Sequence, residues 1–237
     1  MNKSISNQKP SELDPEILSC FLEKYSNELE IKKWDMGASS SREVSVQVQQ
    51  GKAKQLKGSQ RSSMTLRVWN NNNQVGITST SDLTSEGINK AMRGAIEASL
   101  FGNKKESPEF SPLAKAEIKE IHAEISDPHT IEELLSILKK AEQQLIETHQ
   151  SIDSVPYNGL NESYMERIYI NSEGASRHMK LSQSSIYLYA KAEEKNKKPR
   201  SAGGIKINSN LECLDIKNCI KETSDKLISH LNYKPIE

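Results

Sequence analysis

The pattern of hydrophobic and polar positions predicts that the ordered chain begins with a helix. Asp14 is a favourable N-cap, and Pro15 suits the first helical position. The apolar residues that follow recur at helical spacing: Ile17, Leu18, Phe21, Leu22 and Tyr25. The polar residues of 1–12 contain no apolar run, so we expect this segment to be disordered and neither a signal peptide nor an anchor.

A change of period to two then predicts a meander of strands. Every second residue is valine at Val44, Val46 and Val48, which is typical of a half-buried strand. Gly51 and the four asparagines of 70–73 mark turns. The remaining strands of this part are predicted at 53–57, 63–69 and 74–80.

The second part of the chain alternates between the same two periods. A helix capped by Asp82 or Thr84 should stop at Gly102, and a linker follows over 103–113. Asp127 and Pro128 should open a helix that frays near His149. The other elements predicted here are a possible strand at 116–125, strands at 166–171, 175–190 and 203–208, a charged loop at 191–200, and a helix at 211–231.

Two constant offsets indicate an internal duplication. Ser62, Ser63 and Leu66 match residues 122 positions later, namely Ser184, Ser185 and Leu188. Gly76, Ser81, Leu83 and Ile88 match residues 128 positions later, namely Gly204, Ser209, Leu211 and Ile216. The two offsets differ because the loop at 191–200 is longer than the corresponding turn in the first half of the chain. We therefore predict an α+β fold with antiparallel β-meanders packed against helices, in which a strand–strand–strand–helix unit at about 43–101 recurs at about 166–231, joined by the linker and helix of 102–150.

Composition and charge exclude several functional classes. The 237 residues are 35% hydrophobic and 27% charged, and 32 basic residues balance 32 acidic ones. This neutral balance gives no electrostatic footprint for duplex DNA and disfavours nucleic-acid binding. The sequence contains no uninterrupted apolar run of about 18 residues, so it predicts no membrane-spanning helix. Three cysteines are an odd number for a disulfide framework, so we expect reduced thiols and a cytoplasmic protein.

No pattern of residues predicts a catalytic or metal site. The five histidines lack the paired spacing of a zinc site and are interpreted as surface or loop residues, while Cys213 and Cys219 are interpreted as core thiols. The serine-rich stretches lack a GxSxG elbow. The loop at 191–200 carries a local charge of +3 and is either a solvated loop or a contact for nucleic acid or an acidic partner.

Long alternating strands instead predict peptide or partner binding at a sheet edge. The predicted contact residues are Ser182, Gln183, Ser184 and Ser185. Leu181 and Ile186 are five residues apart and would lie on opposite faces of a regular strand. We therefore predict a bulge or break near Ser184, with an exposed edge beside it that is available to a peptide or partner. The alternative is that these edges are paired within the fold or at a dimer interface.

Several glycines and alternating strands, taken in order, resemble the N-terminal domain of the TldD/PmbA family. They are Gly37-Ala38 before Glu43-Val44, then Gly51-Lys52, Leu66-Arg67-Val68, Gly76, the segment 78–83, and Asn171-Ser172-Glu173-Gly174. The family comprises cytoplasmic metallopeptidases and their partner subunits, formerly called modulators of DNA gyrase. The resemblance covers 13–237 as one N-terminal α+β domain and is closer to the PmbA (TldE) branch than to the TldD branch.

The resemblance implies a non-catalytic subunit or part that helps to assemble and enclose the peptide channel of a zinc metallopeptidase. The C-terminal domain of the family, which carries an HExxxH zinc motif in the TldD branch, is expected to be absent from this chain. No cofactor is therefore expected here, and zinc is expected only in a TldD-like partner chain. The implied partners are a TldD-like subunit or a second copy of the chain as a dimer, and an unfolded peptide as substrate, with proteolysis only in the assembled enzyme. The alternative is a stand-alone protein- or nucleic-acid-binding module without a peptidase partner.

Overall fold

A computed structural model describes residues 13–102, 110–114 and 128–231. Within these ranges the elements are α1 Pro15–Glu28, β1 Lys33–Gln49, β2 Lys52–Trp69, β3 Val75–Thr80, α2 Ser85–Ser99, a 3₁₀ turn Pro112–Ala114, α3 Ile131–Glu147, β4 Ile152–Asn171, β5 Ser176–Ala192, β6 Arg200–Asn208 and α4 Ile216–Leu231. The six strands form a single antiparallel sheet in the order β3-β2-β1-β4-β5-β6. None of the described helices is long and apolar enough to cross a bilayer.

The predicted α+β class is confirmed, and the order of elements agrees with the predicted duplication. A helix, three strands and a second helix occur twice, as α1-β1-β2-β3-α2 and α3-β4-β5-β6-α4. The strand register refines the match: Gly76 pairs with Val68, and Gly204 pairs with Leu188. Leu188 is thus equivalent to Val68 rather than to Leu66. The predicted match is therefore displaced by two residues. Because side chains alternate between the two faces of a strand, this displacement keeps every side chain on the predicted face.

The chain divides into two compact units. Unit 1 comprises Met1–Arg42, Gln60–Ala123 and Met165–Lys180, and unit 2 comprises Glu43–Ser59, Glu124–Tyr164 and Leu181–Glu237. The four long strands each contribute one part to each unit. The largest fully buried side chains of unit 1 are Leu22, Met36, Met64, Leu66, Ile88 and Met92, and those of unit 2 are Leu134, Leu138, Leu145, Leu160, Ile186 and Leu188.

The helices begin where capping side chains satisfy their first N–H groups. Asp14 Oδ1 accepts from the N–H groups of Glu16 and Ile17 at the start of α1, as the sequence predicts. Thr130 and Glu133 form a capping box at the start of α3. The predicted opening of this helix by Asp127 and Pro128 is wrong, because Thr130 is its N-cap and Pro128 precedes it. Outside the described residues lie 1–12, most of the linker at 103–113, all of the possible strand at 116–125, and Asp127 itself. In the final helix the predicted start at 211 is wrong, because 211–215 forms turns before Ile216.

Two strands are longer than the sequence predicts. The separate strands at 53–57 and 63–69 are one continuous strand, β2, because Gly58 adopts an ordinary extended conformation rather than a turn. The strand predicted at 166–171 begins at Ile152 instead. Pro156, Asn158 and Gly159 disguise its first half, since all three residue types are rare in strands.

The predicted bulge or break near Ser184 is wrong. Strand β5 is continuous, and it pairs with β6 in unbroken register from Ser184 to Ala192. Ile186 is fully buried, whereas Leu181 is 41% exposed on the other face of the strand. A regular strand therefore accommodates both residues, because the core does not require Leu181.

Candidate functional site

The four predicted contact residues lie in β5, which has neighbouring strands on both sides. Ser184 is 2% exposed and pairs with Asn208, and Ser185 pairs with Ile207. The Ser182 hydroxyl donates to the backbone carbonyl of Ser209 at 2.8 Å. The backbone of Ser184 and Ser185 is thus inside the sheet. Peptide binding at this segment stays a prediction, and it would have to use Ser182 or Gln183.

A partly buried network of hydrogen bonds in unit 2 accounts for the position of Ser184. Its hydroxyl donates to Glu162 Oε1 at 3.4 Å. The same carboxylate accepts from the backbone N–H of His129 at 3.0 Å and lies 2.9 Å from His129 Nδ1. His129 Nε2 lies 3.4 Å from Glu212 Oε1. Because the Glu162 carboxylate contacts the His129 backbone, the His129 ring and the serine hydroxyl at once, this network holds the start of α3 and does not form a serine–histidine pair.

The described histidines and cysteines do not form a zinc site. In the ranges that the structure describes, no group of three or more His, Cys, Asp or Glu could hold a metal ion. Both ring nitrogens of His129 already face carboxylates, and His178 Nε2 lies 2.6 Å from the buried Glu166. These two histidines are therefore structural partners of glutamates. Their interpretation as surface or loop residues is confirmed, because His129 lies in the loop before α3 and His178 is exposed. The residues in these contacts are separated by 12 to 83 positions in the sequence, so residue spacing could not predict them.

The Cys219 thiol is not an activated nucleophile. Cys219 is fully buried in unit 2, and this burial raises the pKa of its thiol to about 11. The prediction of a core thiol is confirmed for Cys219. It is wrong for Cys213, which is exposed, as is Cys20.

Unit 1 contains a buried carboxylate with three partners. Asp35 is 3% exposed and accepts two bonds from the Arg67 guanidinium, one of them from Nε at 2.8 Å. The Tyr169 hydroxyl donates to the same carboxylate at 3.2 Å. The bond to Asp35 raises the pKa of Arg67, while loss of hydration raises the pKa of the Tyr169 hydroxyl. All three groups satisfy one another, which is typical of a structural ion pair.

The outer side of the sheet in unit 2 carries an exposed apolar surface, which we call the tyrosine face. Its members are Tyr157, Tyr187, Tyr189, Ile205 and Ile207, each between 37% and 64% exposed. The tyrosine rings have fixed positions. The ring of Tyr187 lies over Gly159, where a Cβ would meet it at 2.4 Å, and its hydroxyl accepts from Gln47 Nε2 at 2.9 Å. The ring of Tyr189 lies against Gly203, and its centroid is 6.0 Å from that of Tyr157.

Beside this surface, the β1–β2 hairpin is fixed at its tip by a buried glutamate of α3. Glu142 is 3% exposed, and its two carboxylate oxygens accept from the N–H groups of Gln50 at 3.1 Å and Gly51 at 2.8 Å. Both turn residues have positive φ, 51° and 70°, as a two-residue hairpin turn requires. The carboxylate therefore holds the hairpin against the helix.

We expect Glu142→Gln to destabilise unit 2 by about 1–3 kcal/mol, because an amide NH₂ would then face one of the two turn N–H groups. Amide hydrogen exchange should rise at Gln50 and Gly51. Glu147→Gln is the matched control, since Glu147 is exposed on the same helix and accepts only from Gln143. Equal stability of the two variants would show that the hairpin tip does not depend on Glu142.

Comparisons with known proteins identify the family. The family model described as PmbA/TldA metallopeptidase domain 1 matches residues 34–99, and that described as PmbA/TldA metallopeptidase central domain matches residues 124–231. No match was found among curated proteins.

Three solved structures share the fold. A candidate modulator of DNA gyrase from Thermotoga maritima has a TM-score of 0.78 at 17% identity, covering 94% of this chain and 50% of that one. A candidate modulator from Bacteroides thetaiotaomicron has a TM-score of 0.77 at 13% identity, covering 94% and 51%. TldE from Thermococcus kodakarensis has a TM-score of 0.70 at 16% identity, covering 94% and 49%.

The chain thus spans about half the length of each of these structures. Two consecutive domain models of one metallopeptidase family together match most of its length. This chain belongs to the PmbA/TldD family.

Proposed function

We propose that this chain is a non-catalytic part of a TldD/PmbA-like protein that helps to assemble and enclose the peptide channel of a zinc metallopeptidase. The match to the first and central domains supports this role, because half of each related structure lies beyond the matched part. The zinc chemistry would then belong to a TldD-like partner chain. The described residues of this chain contribute binding surfaces and no step of peptide hydrolysis.

The observation that carries the proposal is the tyrosine face. Five large side chains lie exposed on neighbouring strands of unit 2, and the rings of Tyr187 and Tyr189 are held against glycines. Contiguous apolar surfaces of this kind mark interaction sites in soluble proteins. Rigid tyrosines lose little conformational entropy on binding, so they are favourable contact residues. We therefore assign this surface to contact with another part of the assembly.

Co-expression with a TldD-like chain that carries HExxxH tests the proposal. We expect the two chains to co-purify, and we expect the double variant Ile205→Lys, Ile207→Lys to lose the complex, because two charges would have to be buried. Ile17→Lys is the control, since Ile17 is 51% exposed on α1 and is not part of the tyrosine face. Light scattering after size-exclusion chromatography reports the assembly.

The outcomes separate the alternatives. A complex unaffected by the double variant would remove the tyrosine face from the interface. A homodimer that the double variant dissociates would make the partner a second copy. Recovery of this chain with nucleic acid and without a peptidase chain would support the stand-alone binding module instead.

A further inference from the structure

We propose that the outer edge of β2 in unit 2 binds an acidic segment of polypeptide as an additional antiparallel or parallel strand. We call residues 52–59 the basic edge. This inference rests on the proposed function, because that function is what would bring peptides to the chain. It deepens the proposed function by naming the chemical class of peptide that the chain prefers.

Among the described strands, the basic edge has no neighbour on its outer side, because β3 is shorter than β2. Strand β3 pairs only with the last part of β2, from Met64 to Trp69. Its other neighbour in the sheet is β1. Among the described strands, none pairs with the outer side of 52–59. At about 3.3 Å per residue, these eight residues present roughly 26 Å of strand whose outer backbone donors and acceptors pair with no other described strand.

The side chains of this edge carry positive charge only. Lys52, Lys54 and Lys57 lie within it, and the sequence has no acidic residue between Glu43 and Asp82. Residues 52–58 are all exposed. Lys54 Nζ lies 3.4 Å from the Pro156 carbonyl and 5.8 Å from the centroid of the Tyr157 ring, so it contacts no carboxylate there. In the described part of the chain no carboxylate pairs with Lys52 or Lys57.

The hairpin that presents the edge is held in place before any ligand binds. The carboxylate of Glu142, the nearest acidic group to the hairpin turn, is occupied by the N–H groups of Gln50 and Gly51. The Asn158 side chain accepts from the Val48 N–H at 2.9 Å and donates to the Val48 carbonyl at 3.0 Å. A fixed edge loses less conformational entropy when a strand is added.

An acidic polypeptide fits this edge better than other polyanions or a second copy. Main-chain donors and acceptors at strand spacing match another polypeptide. A single-stranded nucleic acid would need aromatic side chains for base stacking, and 52–59 contains none. Pairing with a second copy would set three lysines against three lysines, which is unfavourable. Edge lysines also deter indiscriminate strand pairing, so they make the edge selective for acidic segments.

Fluorescence anisotropy with the full chain tests the proposal. The probe is a labelled peptide of alternating Glu and Val, with two comparison peptides: one with Lys in place of Glu, and one with every second backbone nitrogen methylated. We expect only the unmodified acidic peptide to bind, with an affinity that falls as salt rises to about 0.3 M. Lys52→Glu combined with Lys57→Glu should weaken binding by about tenfold or more. Lys195→Glu combined with Lys198→Glu is the control on an exposed loop of the same unit.

Several results would overturn the proposal. Equal binding by the methylated peptide would show that charge alone attracts it, without strand addition. Equal weakening by both double variants would show that the peptide binds at another site or is attracted non-specifically by positive charge. Tighter binding of a DNA oligonucleotide with the same charge would make the edge a nucleic-acid site. Because anisotropy uses this chain alone and the assembly test uses a TldD-like chain, either proposal can fail while the other stands.

Discussion

We expect Gly76→Ala to destabilise unit 1 by about 3 kcal/mol or more. Gly76 lies in β3, where the backbone of α2 passes directly over it. A Cβ at this position would lie 1.7 Å from the Ala95 carbonyl oxygen and 2.5 Å from the Ser99 nitrogen. Both atoms belong to the helix backbone, so no side-chain rotation can relieve the overlap. The helix would have to move away from the strand and expose apolar core residues.

Thermal unfolding followed by circular dichroism measures this effect, with an expected fall in Tm of roughly 6–12 °C. Gly58→Ala is the matched control, because Gly58 also lies in a strand but a Cβ there meets nothing within 4 Å. We expect the control to melt within a degree or two of the parent chain. If the Tm of Gly76→Ala equalled that of the control, α2 would not pack closely against β3.

We expect Ser184→Pro to prevent stable folding of unit 2. Ser184 is 2% exposed and lies where β5 is flanked by β4 and β6, so its N–H faces a neighbouring strand on either side. Proline removes that donor and leaves a buried acceptor unpaired, which costs about 1–3 kcal/mol. Its ring also disturbs the adjacent strand. The fully buried Ile186 and Leu188, in the same strand, would be exposed with it.

Ser184→Ala is the control at the same position. It removes only the 3.4 Å bond to Glu162 and keeps the backbone N–H, so we expect a folded protein with a small loss of stability. Protease resistance and the thermal melt distinguish the two variants. A Ser184→Pro chain that folds normally but loses a peptide or partner would instead restore the hypothesis of an outward-facing edge at 182–185.

Local patterns predict the elements whose stability depends on nearby residues. Helix α1 follows from Asp14, Pro15 and the helical spacing of its apolar residues, because an N-cap and an apolar stripe are encoded within a few turns. The β1–β2 turn follows from Gly51 for the same reason. The family also follows from the sequence, because the order of its glycines and strands is a linear property of the chain.

The first half of β4 shows where local patterns fail. Pro156, Asn158 and Gly159 disfavour a strand locally, yet the structure uses each of them through distant partners. The Asn158 amide bonds the backbone of Val48, 110 positions away, and the ring of Tyr187 covers Gly159. Tertiary contacts thus stabilise a strand that propensity alone disfavours.

The candidate binding surfaces also show which features the sequence predicts and which only the tertiary structure decides. From the sequence alone, the alternation of strands indicates that a sheet edge exists and that polar residues line strands, which led to Ser182–Ser185. Only the tertiary structure decides which edge is free, because that depends on strand order and on how far β3 and β6 extend along their neighbours. The physical reason is that side-chain periodicity arises within one strand, whereas pairing arises between strands that are distant in the chain. Within the described sheet, the short β3 does not reach 52–59, while β6 pairs with the end of the segment that the sequence pattern favoured.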